Sequence, residues 1–230
     1  MSYKSLAAFS TVIGCLLLCA SALATPPERA AVLVMPVDFT IGQLTAGGIV
    51  ETLADDSEMA CRQVSSGLDN WLNRHPELTP VAYPELPEPD EAVVREHVAL
   101  FDVAVGQALA MQTIRKGRRF DYSVGSGLAF LKESTGADKA IVLGGTSLRS
   151  TGGRTALKFF EFIMFGALSP LSGSMAYAGI VDLETGQIEW ANYGSIGGLD
   201  VTEFAGACDA VDKLLESYPG GRLSIRQEGK

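Results

Sequence analysis

The chain has 230 residues, 47% of them hydrophobic, which is enough for one sizeable domain with a real core. Its formal net charge of −9 works against long-range attraction to nucleic acid or to an anionic membrane surface. Four cysteines and two histidines leave little material for a metal centre.

Taken in order, residues 1–24 read as a secretory signal peptide. Lys4 supplies the positive n-region, 6–18 is largely apolar, and Ala22-Leu23-Ala24 offers small residues at the two positions a signal peptidase reads. The apolar run is too short and wrongly flanked for a transmembrane anchor. Cleavage after Ala24 leaves a short mature tail, 25–29, on an exported, periplasmic protein. A second cut competes: Val12-Ile13-Gly14-Cys15 fits a lipobox, so Cys15 becomes a lipidation site and the protein an outer-membrane lipoprotein. Against it, Leu16-Leu17-Leu18 follows where a polar tether is usual. Either cut leaves Cys61 and Cys208 in the mature domain, open both to a disulfide in an oxidising compartment and to two small buried hydrophobes.

Residues 30–39 read as a strand buried on both faces, because the run is continuously apolar, with regular pairing ended by Pro36. Residues 42–50 read as irregular. Asp55 or Asp56 caps a helix whose stripe is Cys61, Val64, Leu68, Trp71 and Leu72. A short strand follows at 79–83. After the proline-rich 86–89, Asp90 caps a second helix with Val94, Val98, Phe101, Val105 and Leu109 on its inner face. The basic knot Arg115, Lys116, Arg118 and Arg119 ends that helix favourably by its dipole, or grips an anionic partner. A third helix is expected at 122–134, then a strand at 140–147. Residues 159–165 carry Phe159, Phe160, Phe162, Ile163, Met164 and Phe165 on every side of one segment, so either a core position between two layers or a partner surface must cover them. Residues 175–196 read as a β-hairpin. Its first arm is apolar almost throughout and belongs inside the sheet, whereas its second arm, from Gln187, alternates and belongs near an edge. Asp182 is a turn acceptor for the Thr185 or Gly186 amide, Gly186 takes a positive φ, and Trp190 anchors the second arm. A closing helix at 201–218 carries Val201, Phe204, Cys208, Val211, Leu215 and Tyr218, and 220–230 is a flexible tail. The expected architecture is α/β: a mixed β-sheet of about five strands with helices packed on it, a sandwich, preceded by the signal peptide. Residues 30–219 then form a single domain.

Several stretches resemble a family of bacterial envelope proteins, many of them lipoproteins, similar in fold to the amino-terminal domain of TolB and to the curli-secretion lipoprotein. They are Val32-Leu33-Val34-Met35-Pro36, the run Leu44 through Glu51 with its Gly47-Gly48, the hairpin Val181-Asp182-Leu183-Glu184-Thr185-Gly186-Gln187-Ile188-Glu189-Trp190, and the ending Leu214-Leu215-Glu216-Ser217-Tyr218-Pro219. The likeness covers roughly 31–219. It implies an α/β domain that works in envelope assembly by binding partners, and it offers no catalytic set to carry over.

The residues themselves give no catalytic constellation, no cofactor motif and no metal-ligand spacing. His75 and His97 stand in no His-x-x-x-His pattern, and neither a Gly-x-Ser-x-Gly elbow nor a mature Ser-x-x-Lys is present. Gly144-Gly145 hints at a phosphate cradle, but a bend at a strand end explains it. The leading expectation is therefore a non-enzymatic envelope adaptor or assembly accessory. It acts by protein contact and self-association, with Phe159, Phe160, Phe162, Ile163 and Phe165 as the interaction surface. The alternative is an exported ligand-binding protein or hydrolase with a pocket at strand ends near Gly144, Ser147 and Asp182. Titratable groups converging in a cleft would count against the first and for the second.

Overall fold

The computed structural model describes residues 30–44, 49–114, 122–150 and 173–218. Its centre is β5 (Lys139–Ser150), a 12-residue strand long enough to serve several neighbours. On one side lies β6 (Met175–Asp182), antiparallel from Lys139 opposite Asp182 to Thr146 opposite Met175. The outermost strand on that side is β7 (Ile188–Ser195), paired with β6 alone. Strand β6, covered on both faces and flanked on both sides, carries no charged residue before Asp182 at its end. Strand β7, at the edge, keeps its polar residues.

On the other side of β5 two strands stand in succession, both parallel to it. These are β1 (Ala30–Val34), paired at Val32–Lys139 to Val34–Ile141, and β2 (Asp38–Leu44), paired at Asp38–Gly144 to Leu44–Ser150. Pro36, which has no N–H to give the ladder, falls in the gap. Beyond them β4 (Leu78–Val81) runs parallel to β1, and β3 (Val50–Thr52) antiparallel to β2. The sheet is mixed, and it has seven strands where about five were expected. The apolar run from Ala30 is two strands rather than one, and the second continues through Leu44 into sequence that read as irregular.

Helices cover both faces, making three layers. Alternation along β5 and β6 divides the core: Ile141, Leu143, Ala176, Ala178 and Ile180 face α1 (Ala54–Asn73) and α4 (Phe204–Leu215). Ala140, Val142, Tyr177 and Val181 face α2 (Glu88–Ile114) and α3 (Ala129–Thr135).

Several boundaries differ from the sequence reading for local reasons. Leu53, not an aspartate, is the N-cap of α1, and Asp55 and Asp56 lie in its first turn, where the helix dipole favours them. Helix α2 begins at Glu88, with Pro89 in the first turn, where a missing N–H costs nothing. The expected helix at 122–134 is a 3-10 turn (Ser126–Leu128) leading into α3, because Gly125 at φ 89° lies outside helical space. In α4, Phe204 is 52% exposed, whereas Ala207, Ala210, Val211, Leu214 and Leu215 are buried, so the inward face is rotated from the expected stripe.

Residues 1–29 with Cys15, Gly47-Gly48, the cations Arg115 to Arg119, the phenylalanine-rich 159–165 and the tail 220–230 lie outside the described residues. Among those described, no helix is long and apolar enough to cross a membrane.

Candidate functional site

The ladder register builds the site directly. Asp38 on β2, Gly144 on β5, Tyr177 on β6 and Tyr193 on β7 are successive partners across four strands, so they share a face. Two residues further along β2 and β5, and two back along β6, Thr40, Thr146 and Met175 form the next row on that face. This is the face toward α2. Phe101, fully buried on α2, packs its ring against Gly179 and lies 5.7 Å from the Tyr177 ring. The next residue of the helix, Asp102, thereby reaches the same place. Together these side chains line a cleft of about 130 Å³ beside the break between β1 and β2.

Tyr177 is its floor. The side chain is only 5% exposed and lies directly over Gly144, where a Cβ would stand 2.3 Å from the phenol oxygen and 2.7 Å from the Asp38 carbonyl. Glycine is therefore required at 144 by the close approach of the tyrosine. No described residue hydrogen-bonds the Tyr177 hydroxyl. Burial, and then the carboxylates of Asp102 and Asp38, push its pKa above the ordinary phenol value, so it stays protonated. Burial and Asp102 do the same to Tyr193. Asp102 is itself pushed up, by partial burial first and by Asp38 second. No ion pair within the described residues includes Asp38 or Asp102. Four titratable groups thus converge in one cleft, with Asp38 and Asp102 solvent-exposed and Tyr177 buried.

Of the residues named from sequence for a pocket, Gly144 is in it. Ser147 and Asp182 are not. Ser147 faces the α1 side, buried, with its Oγ 2.6 Å from the Ser174 Oγ. Asp182 pairs with Lys139 at the far end of β6, seven residues and about 23 Å from Met175. There its Oδ1 accepts from the Glu184 amide at 3.1 Å and from the Thr185 amide and hydroxyl, each at 2.8 Å. Gly186 follows with φ 69°. Trp190 packs edge-on against Tyr218 at 5.6 Å. Gly144-Gly145 is neither a phosphate cradle nor a strand-end bend, since both residues lie mid-strand in β5.

Each histidine bonds within its own helix: His75 Nδ1 is 2.8 Å from the Trp71 carbonyl, and His97 Nδ1 is 2.7 Å from that of Val93. Among the described residues no three His, Cys, Asp or Glu side chains are placed to hold a metal ion. Cys61 and Cys208 are both free. Cys61 Sγ accepts from the Phe39 amide at 3.3 Å, and Cys208 lies beside Gly67, six residues further along α1.

The sequence reading missed Asp38, Asp102, Tyr177 and Tyr193. The available signal was period-two alternation: Asp38 with Thr40, and Tyr177 within an otherwise small-residue run, Ala176 to Gly179.

The chain matches no family model and no curated protein. Among solved structures it is similar to the LpoB C-terminal domain from Salmonella enterica, at 12% identity and a TM-score of 0.31, over 78% of this chain and 91% of that one. A likeness at that score leaves function to be argued from this chain's own residues.

Proposed function

We propose that the chain is an exported binding protein of the cell envelope, whose recognition centre is the cleft between α2 and strands β2, β5, β6 and β7. The observation that carries this reading is the Tyr177 hydroxyl, a buried polar group that has no hydrogen-bond partner among the described residues and lines a cavity. Buried hydroxyls are nearly always hydrogen-bonded, and those that are not ask for a partner from outside. The leader-like first 24 residues support export. This reading takes the binding half of the pocket alternative: among the described residues neither histidine lines the cleft, and Ser147 faces the other side of the sheet.

The test is a thermal-shift titration of the purified protein with cationic, neutral and anionic envelope solutes, run in parallel on Tyr177→Phe. A saturable rise in the wild type that the variant loses supports the reading. No rise with any charge class, from a variant as stable as the wild type, removes it.

An adaptor acting by surface contact or self-association is the second reading. Leu100 and Val103, solvent-exposed apolar residues on the outer side of α2, favour it. Light scattering tests self-association, and Leu100→Glu with Val103→Glu should then return a larger species to monomer.

A further inference from the structure

We infer that the cleft is a site for a cationic group, a guanidinium or ammonium on a short stem, held by the carboxylates of Asp38 and Asp102 above the Tyr177 hydroxyl. The inference rests on the binding reading and adds the chemistry of what is bound.

The polar groups decide the sign. An ionised carboxylate only accepts hydrogen bonds, and a phenol oxygen accepts as readily as its O–H donates. A partner that satisfies two carboxylates and the phenol at once must therefore carry several donors and positive charge. The cleft has no counter-ion of its own among the described residues: the acids in ion pairs, Asp56, Glu58, Glu88, Asp138, Glu184, Glu189, Asp200 and Asp212, all lie outside it. Asp102 also stands close enough to Asp38 for like-charge repulsion to act on it, a cost that a cation between them removes. Tyr193, closing the row, supplies an aromatic side chain of the kind on which a guanidinium plane stacks. The volume of about 130 Å³ fits such a head group with a few methylenes and is small for a nucleotide or an oligosaccharide. The net charge of −9 draws cations toward the molecule before contact.

Two sources carry this chemistry, a free basic solute and a basic side chain of a partner, and the experiment separates them. The purified, 15N-labelled protein is titrated with Nα-acetylated probes, so that no α-ammonium is present: arginine amide, its neutral isostere citrulline amide, glutamate, and a blocked tripeptide carrying one central arginine. The expected result is saturable shifts at the amides of Asp38, Thr40, Gly144, Thr146 and Tyr193 for both arginine probes. Citrulline amide should bind roughly tenfold more weakly. Asp38→Asn and Asp102→Asn, both at the solvent-accessible rim, should each weaken arginine binding roughly two- to fivefold, and raised salt should weaken it further. A peptide that binds more tightly than arginine amide assigns the group to a partner's side chain, and the reverse order assigns it to a free solute.

Equal affinity for arginine and citrulline overturns the inference, as does arginine affinity unchanged in both variants with far-UV circular dichroism intact. If the neutral probe or glutamate titrates these amides and arginine does not, the inference falls while the binding reading stands. If no probe of any charge moves them, both fall.

Discussion

Tyr177 occupies a position where a phenylalanine would pack as well, and its hydroxyl has no hydrogen-bond partner among the described residues. Removing an unsatisfied buried hydroxyl is neutral to stabilising. Tyr177→Phe should therefore leave the unliganded protein as stable as the wild type or raise its unfolding free energy by up to about 1 kcal/mol, as measured by urea denaturation. A loss of 2 kcal/mol or more, by the same measure, would mean that the hydroxyl already has a partner. Asp102 makes a parallel case. Its folded-state pKa is raised above the ordinary 3.8, so the charged form costs stability once pH exceeds that unfolded value. Asp102→Asn should then stabilise the protein at neutral pH, with the gain vanishing below pH 3.8. These residues were hard to find in sequence for one reason: the Met-Ala-Tyr-Ala-Gly stretch reads as buried strand, and burial of Tyr177 is correct. Only the ladder register, which sets it opposite Gly144 and in line with Asp38, turns a core tyrosine into the floor of a site.

At the level of elements, the β6–β7 hairpin was the most legible part of the chain, because its turn chemistry is local. Burial pushes the Asp182 carboxyl up, but the Thr185 amide and hydroxyl and the Glu184 amide outweigh it, and Lys132 adds to them, so its pKa lies below 3.8. A carboxyl lowered in the folded state contributes stability above its unfolded value and loses it as pH falls through the folded one. Asp182→Ala should cost about 1 kcal/mol at pH 7, allowing for solvent screening of a partly exposed turn. Its unfolding free energy should fall less steeply than that of the wild type below pH 3.8. Helix register was less legible. Phe204 was counted on the inner face of α4 because apolar spacing alone cannot say whether a helix starts at Val201 or three residues later. The same crossing of α1 and α4 keeps the thiols apart. Cys208 meets α1 beside Gly67, and Cys61 lies about 9 Å further back along that helix, beyond the roughly 7 Å between Cα atoms that a disulfide spans. Alkylation of the unfolded, unreduced protein should therefore add two labels within the mature domain, and an unlabelled mass would show that the helices pack in another register.

Across the whole molecule, the sheet order escaped the sequence because it depends on a break that a linear pattern reads as an ending. Pro36 interrupts β1, and the chain resumes as β2 along the same neighbour, so a single strand, β5, pairs with β1, β2 and β6. The continuous apolar run of β6 did foretell a strand buried on both faces, and the two hydrophobic clusters lie on opposite sides of the β5–β6 pair. This topology ranks the parts by how much must open before they do. Amides of β5 at Ala140 and Ile141 lie under helices on both faces and between paired strands on both sides, so they should exchange with solvent only through global unfolding. Three-residue β3 is wholly exposed and paired on one side, and should exchange through local fraying at a small fraction of that free energy. Native-state hydrogen exchange across a urea series reads the difference. The β5 amides should show the full denaturant slope and an opening free energy of about 5–15 kcal/mol, and the β3 amides almost no slope. Thr146, at the cleft, should fall between them, because its α2-side face is open to solvent, and a cationic ligand bound there should slow its exchange while leaving β3 unchanged. Fast, denaturant-independent exchange at Ala140 or Ile141 would show that β5 is not the strand around which the others assemble.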